Sequence, residues 1–334
     1  QFVLFDDKPL NWQAWDTELY SVNQYKYLQE IEKIHVTRNS AEECSVEVIV
    51  KATSGCTIRS TISLKKTSFE TQNKSKIDIS TLVSNWDAKN KFLKVEFPVN
   101  VRNETASYET QFGITRRPTV YNTSWDVAKF EVCHHKFADY SEFSKGVSIL
   151  NDCKYGFSTH GNLMRLSLLR SSKAPDAHAD MGTHQIKYAI FPHKGQLGPD
   201  TVKLAYEFNY DNKYDVPASV VEPFKDIINI IGDENIILSN IKRGEDDISI
   251  KSNYALESTN ENSMIVRVYE SLGGESKASL LTSLPLKSVT KIDNLELKTY
   301  EDCKFFSWKT KNHLSEIPIT LRPFEIASFK LVFN

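Results

Sequence analysis

The chain has 334 residues, 40% of them hydrophobic and 25% charged, with a formal net charge of −2. That length suffices for two domains with sizeable cores, and the near-neutral balance shows neither the basic excess of a nucleic-acid binder nor the acidic excess of a disordered segment. No run of eighteen apolar residues occurs, so no membrane-spanning helix is expected.

The opening "QFVLFDDKPL" lacks a basic n-region, a long apolar core and a small-residue cleavage site, so it reads as a strand and not as a signal peptide. With no initiating Met before it, this start is expected of an interior portion of a longer protein. "DDKPLNWQAWDTELY" (6–20) then offers the flat apolar faces of Trp12 and Trp15, which suit a pyranose ring, beside the acceptors Asp7 and Asp16. A buried role in a β core or an interface competes for both rings and has the greater weight for tryptophan in a β protein.

Beyond them, "SVEVIV" (45–50), "TIRSTISL" (57–64), "FLKVEFPVNV" (92–101), "AKFEVCHHKF" (128–137) and "IKYAIFPH" (186–193) alternate apolar and polar residues. That period of two, with β-branched and aromatic enrichment, predicts half-exposed strands. In the fourth of these the rings of His134 and His135 would face opposite sides, one buried and one wet. "LNDCKYG" (150–156) contains Asp152, Lys154 and Tyr155; an Asp-initiated turn and a ligand contact are compatible roles for it.

"RSSKAPDAHADMGTH" (170–184) concentrates Asp176, His178, Asp180 and His184. A metal site, an acid/base centre and a polar loop are all open to it. Along an extended strand His178 and His184 would stand about 20 Å apart, at ~3.3 Å per residue, so only a tight loop through Pro175 and Gly182 could gather ligands. Residue types alone favour a loop whose ionisable groups are hydrated or bonded to Arg165 and Arg170.

"NYDNKYDVPASVVEP" (209–223) interrupts the strand pattern with polar residues and two prolines. The expected organisation is a large domain over 1–210, a linker over 211–223 and a smaller domain over 224–334. "PASVVEPFKDIINIIG" (217–232) is the best candidate for a helical turn, no long amphipathic helix is expected, and "NIILSNIKR" (235–243), "DISIKS" (247–252), "SMIVRVYESLGG" (263–274) and "IPITLRPFEIASFKLVF" (317–333) supply strands. Many short strands without alternating helices predict an all-β chain of two sandwiches. Five widely spaced cysteines without a CxxC are expected to be reduced thiols of a protein made in the cytosol, and the sequons at Asn73, Asn103 and Asn122 are expected to be unmodified.

"GVSILNDCKYGFSTHGNLMRLSLLRSSKAPDAHADMGTHQIKYAIFPH" (146–193) resembles the C-terminal region of family 38 glycoside hydrolases, in the cytosolic and fungal vacuolar α-mannosidase branch. The resemblance extends upstream through "FDDKPLNWQAWDTELY" (5–20) and "RRPTVYNTSWDVAKFEVCHHKFADYSE" (116–142). Downstream it takes in "NIILSNIKRGEDD" (235–247), "VRVYESLGG" (266–274) and "LRPFEIASFKL" (321–331), so nearly the whole chain is covered in the family's order. One departure is Val120, where the family pattern leads one to expect His.

The resemblance implies a large β-sandwich of the galactose-mutarotase-like supersandwich class followed by a smaller one. It implies a parent enzyme that removes terminal α-linked mannose from free oligosaccharides and glycans with retention, through an aspartate nucleophile and an acid/base carboxyl ~5–5.5 Å apart. A zinc ion held by two His and two Asp, the nucleophile and the acid/base group would lie in preceding segments, so this chain is expected to hold no catalytic residue, no metal ligand and no cofactor. Its partners would be that catalytic part, α-mannoside oligosaccharides and further copies of the parent in a homo-oligomer, with no nucleic acid and no membrane. Its place would be the cytoplasm, with possible delivery to the vacuole. Substrate contacts are expected from Asp152, Lys154 and Tyr155, from Trp12 and Asp16, and from Asp176, His178 and Asp180 at the cleft edge. The competing reading is a stand-alone carbohydrate-binding or structural β-sandwich without catalysis.

Overall fold

Strand Lys91–Pro98 turns Leu93, Val95 and Phe97 to one side and Phe92, Lys94 and Glu96 to the other, and this alternation sets the middle of the larger unit. A computed structural model describes residues 1–66, 75–210, 227–249, 261–296, 309–311 and 313–334. The chain divides into Gln1–Gln111 with Thr115–Asp211, and Phe112–Ile114 with Asn212–Asn334. The expected linker, 211–223, lies outside the described residues, as do Asn73 and Cys303.

In the first unit a six-stranded sheet runs in the order Val132–Cys133, Gly156–His160, Leu163–Arg170, Lys91–Pro98, Phe2–Asp6 and Tyr25–Tyr27. A nine-stranded sheet runs Ile31–Asn39, Glu43–Lys51, Thr57–Lys65, Ile77–Trp86, Gly182–Lys194, Lys145–Asn151, Phe137–Ser141, Thr105–Thr110 and Gly113–Pro118. One apolar cluster draws on both sheets: Leu93, Val95, Met164 and Leu166 from the first, Ile58, Val83, Trp86 and Tyr188 from the second. Removing each such side chain from water stabilises the sandwich by about 1.5–3 kcal/mol.

Two departures from regular pairing matter below. Between Ser167 and Leu169 the register against Lys91–Pro98 shifts, and the bulge buries both Leu168 and Leu169. The edge strand Ile31–Asn39 pairs with Glu43–Lys51 through two further shifts, at Ile31/Lys33 and Val36/Arg38, and leaves Ile31, Ile34 and Val36 exposed.

The second unit is a sandwich of two four-stranded sheets, ordered Asn229–Gly232, Ser276–Thr282, Leu314–Leu321, Lys309–Lys311 and Ile236–Arg243, Asn262–Glu270, Ile326–Phe333, Leu286–Ile292. Val266, Val268, Leu280, Ile317, Ile319 and Phe329 fill it. The "SLGG" turn (271–274) is organised by the buried Glu270 carboxylate, which accepts from the backbone N–H of Leu272, Gly273 and Phe324 at 2.7–2.9 Å.

Four expectations are corrected. Helix Pro199–Asn209 was not foreseen; it starts with Pro at its first turn and buries Val202, Leu204 and Ala205. Of the expected helical turn at 217–232, residues 217–226 lie outside the described residues and Asn229–Gly232 is a strand. The expected strand 128–137 shrinks to Val132–Cys133, because the capping box formed by Thr123 and Asp126 starts helix Ser124–Val127 just before it. Residues 247–249 form a turn around the Asp247 carboxylate, which accepts from Ser249 and Ser263 N–H, and 250–252 lie outside the described residues.

Candidate functional site

Three of the stretches singled out in the sequence meet at one end of the six-stranded sheet, around a cavity of about 410 Å³. Thr17 comes from the tryptophan loop, Lys154 and Tyr155 from the "LNDCKYG" turn, and Asp180 from the "APDAHAD" loop. The bulged residues Ser167, Leu168 and Leu169 form one wall and Glu131 and Cys133 another. The bulge aims its residues at this end of the sheet, a position where such irregularities often serve binding.

The turn at 151–155 is clamped from behind. Asn151 is fully buried; its Nδ2 donates to His134 Nε2 at 2.8 Å and to the His135 carbonyl at 2.6 Å, while its Oδ1 accepts from Lys154 N at 2.6 Å. His134 Nδ1 donates in turn to the Tyr155 carbonyl at 3.0 Å. Burial pushes the pKa of His134 down to about 4, so the ring is neutral at physiological pH and keeps this donor–acceptor arrangement. His135, half-buried, meets Tyr155 edge to face. The side chain of Lys154 lines the cavity, and among the described residues no carboxylate pairs with its ammonium. Burial, followed by the neighbouring Asp152, pushes the Cys153 thiol up to about 11.

The opposite rim is tied down by Arg170. Its Nε and Nη2 bind both oxygens of the buried Asp7 at 2.7 and 3.1 Å, Nη2 also donates to the Asp16 carbonyl, and its backbone N–H donates to Asp180 Oδ2 at 2.8 Å. Gln13 Oε1 accepts from Lys173 N at 3.2 Å. The "APDAHAD" loop therefore bonds to the arginine backbone, while the arginine side chain serves the tryptophan loop. Arg165 goes instead to Glu96, at 2.6 Å.

The expected site residues separate accordingly. Lys154, Tyr155 and Asp180 reach the cavity. Asp152 lies beside it, half-buried, with Oδ1 buried and unbonded among the described residues. Asp16 contributes its carbonyl to the rim and leaves its side chain in solvent. Asp176 and His178 are exposed, and Asp176 Oδ1 closes a local turn by accepting from His178 N at 2.8 Å. His184 Nε2 bonds the Asp180 carbonyl at 2.8 Å, so this histidine and aspartate do not converge on a cation. No group of three or more His, Cys, Asp or Glu among the described residues could hold a metal ion.

A core role for the tryptophans is corrected: Trp12 is 70% and Trp15 68% exposed, packed edge to face at 6.3 Å on the loop that Arg170 fixes. Sequence reasoning missed Glu131, Ser167 and Arg170 as parts of the site. Glu131 is held by the fully buried Lys94. Ser167 Oγ is buried with no bonding partner among the described residues, and a side chain at Gly156 would meet it at 2.9 Å, so glycine is needed for this close approach.

The chain matches "Glycosyl hydrolases family 38 C-terminal domain" over residues 1–178 and "Glycosyl hydrolases family 38 C-terminal beta sandwich domain" over residues 235–329. It is 68% identical to an alpha-mannosidase of Saccharomyces cerevisiae and 33% identical to human alpha-mannosidase 2C1; each alignment covers the whole chain but 31% and 30% of the relative. The chain thus spans about a third of the length of these curated relatives. Among solved structures, an alpha-mannosidase from Enterococcus faecalis matches the whole chain and 38% of its own, with a TM-score of 0.70 at 15% identity, a likeness of fold.

Proposed function

Because the chain belongs to glycosyl hydrolase family 38, as part of its C-terminal region, we propose that it is the non-catalytic wall of an exo-α-mannosidase and presents the Lys154 cavity to terminal mannose. The observation that carries this reading is the meeting of three sequence-distant stretches at one cavity with an unpaired ammonium among the described residues. A lysine there is a mobile point charge: it donates to a sugar hydroxyl or orients a carboxylate supplied from elsewhere. The exposed Trp12 and Trp15 give a nearby apolar surface of the kind pyranose rings pack against.

The chemistry itself is assigned to segments outside this chain. A retaining double displacement requires two carboxyl groups ~5–5.5 Å apart, one as nucleophile and one as acid then base. Zinc is part of this proposal only as a group of the parent enzyme. The residues described here do not fit it, since Asp180 and His184 are engaged with Arg170 N–H and with a backbone carbonyl, and no step is derived through it. The chain contributes binding and orientation, with the catalytic part, α-mannoside oligosaccharides and further copies of the parent as partners in the cytoplasm or vacuole.

The test is hydrolysis of an aryl α-mannoside by the longer protein that contains this chain, with the anomer of the first product read by NMR. The expected first product is α-mannose, and Lys154→Met should lower kcat/KM about 10- to 100-fold, the scale of one lost charge-assisted hydrogen bond. A β-anomer first product would overturn the retaining mechanism. Tight mannoside binding by the 334-residue chain, combined with no hydrolysis by the longer protein, would favour the stand-alone binding module.

A further inference from the structure

We infer that Glu131 is a sugar-hydroxyl acceptor on the wall of this cavity and that Lys94 is the positioning residue that holds it there. This rests on the mannoside reading above and adds two residues to it.

Lys94 projects from the face of Lys91–Pro98 opposite the core, yet it is 0% exposed. Its ammonium lies 4.4 Å from the Phe92 ring centroid and 5.5 Å from that of Phe5, and donates to Glu131 Oε1. Burial lowers its pKa, with Glu131 acting in the opposite direction. A lysine so placed costs free energy to desolvate, and a buried ion pair is commonly matched or exceeded in stability by apolar side chains of similar volume. Stability therefore gives little account of this pair, whereas geometry gives a direct one.

Glu131 immediately precedes strand Val132–Cys133, which pairs with Gly156–His160 and so brings the carboxylate to the cavity. One oxygen is committed to Lys94. Among the described residues nothing donates to the other, Oε2, and its side chain remains 19% accessible. The same cavity is lined by Lys154, whose ammonium has no carboxylate partner among the described residues. A fixed acceptor beside a mobile cationic donor suits a neutral polyol with neighbouring hydroxyl groups, such as a hexopyranose. Lys94 touches no part of such a ligand; it fixes the direction from which Glu131 accepts.

The inference is tested in the intact mannosidase that carries this chain. Glu131→Gln should raise KM for an aryl α-mannoside about tenfold, with kcat within about twofold, because the lost bond is made equally in ground and transition states. Lys94→Met should raise KM similarly, although it can also impair folding. The decisive variant is the apolar pair Lys94→Met with Glu131→Leu. It should retain the wild-type melting temperature or exceed it, and still show the raised KM. A structural pair would give the reverse, with lost stability or unchanged KM in the double variant. Unchanged KM in Glu131→Gln, or a penalty confined to kcat, overturns the inference while leaving the mannosidase reading intact. A wild-type protein that does not turn over mannosides overturns both.

Discussion

The six-stranded sheet has a cavity at each end, and the larger is the poorer candidate for a binding site. At the far end, where strands Lys91–Pro98 and Leu163–Arg170 meet their other loops, a cavity of about 820 Å³ is lined by Arg102, Asn103, Thr119, Tyr140 and Glu142. Part of its polar lining is bonded within the protein. Asn103 Nδ2 donates to the Ser141 carbonyl at 2.6 Å, Thr119 Oγ1 to the Asn103 carbonyl at 2.6 Å, and Arg102 N to Glu142 Oε2 at 3.1 Å. The nearer cavity has half the volume, yet it gathers Lys154 and Glu131 from separate stretches, with the Lys154 ammonium and Glu131 Oε2 uncommitted among the described residues. The convergence of polar groups from sequence-distant stretches, more than volume, distinguishes a site from a gap between loops.

This contrast can be broken by mutation. The largest effect is expected at Arg170→Ala, which leaves the buried Asp7 carboxylate uncompensated and should lower unfolding free energy by about 3–5 kcal/mol in urea titrations. An unchanged midpoint would show that the rim is held by something other than Arg170. Asn151→Ala should cost about 1–3 kcal/mol, since His134 Nε2 and Lys154 N–H lose their partner. It should weaken mannoside binding as well, and a variant that loses stability alone would separate the clamp from the site. At the far cavity, Tyr140→Phe removes the hydroxyl that accepts from Asn103 N and should cost about 1 kcal/mol. Mannoside KM should not move; a rise would place sugar in the larger cavity and reverse the comparison.

The smallest effect is one of pH and involves residues that line neither cavity. His193 Nε2 bonds Asp139 Oδ2 at 2.7 Å, and Asp139 also accepts from Ser148 and Ser141. Burial opposes charge on this imidazole, but the Asp139 hydrogen bond and charge outweigh it and raise the pKa. A raised folded pKa contributes stability that is fully present below the ordinary histidine value of about 6.5 and is lost as pH rises through the folded value. The unfolding midpoint of wild type should therefore exceed that of His193→Gln by more at pH 5.5 than at pH 8.5. A difference independent of pH would mean that the pair does not titrate.

Much of the fold was legible because period-two alternation survives wherever one face of a strand is wet. Ile236–Arg243 falls within a stretch read as a strand, and Asn262–Glu270 begins one residue before another. What the pattern concealed was local. Helix Pro199–Asn209 is short and buries only a few small or medium apolar residues, too few for a clear 3.6-residue signal. "SLLR" (167–170) does not announce a bulge. Lys94 reads as the wet half of an alternating strand, although it is fully buried beside Phe5, Phe92 and Glu131. The site was legible as separate stretches, since Lys154, Tyr155 and Asp180 each stood out, but their common cavity depends on pairings between distant strands. Asp176 and His178 stood out equally and went to solvent, because Asx-turn chemistry and ligand chemistry draw on the same residue types.

The two irregular steps in edge strand Ile31–Asn39 have a consequence for handling the protein in concentrated solution. Nine residues of border backbone with exposed Ile31, Ile34 and Val36 would ordinarily offer a template for strand-by-strand growth into aggregates. The steps spoil the even spacing of outward-facing amides and carbonyls that such growth requires, and Lys33 and Arg38 add charge along the same border. Straightening that border by deleting one of the extra residues should shorten the shelf life of the protein long before it lowers the melting temperature.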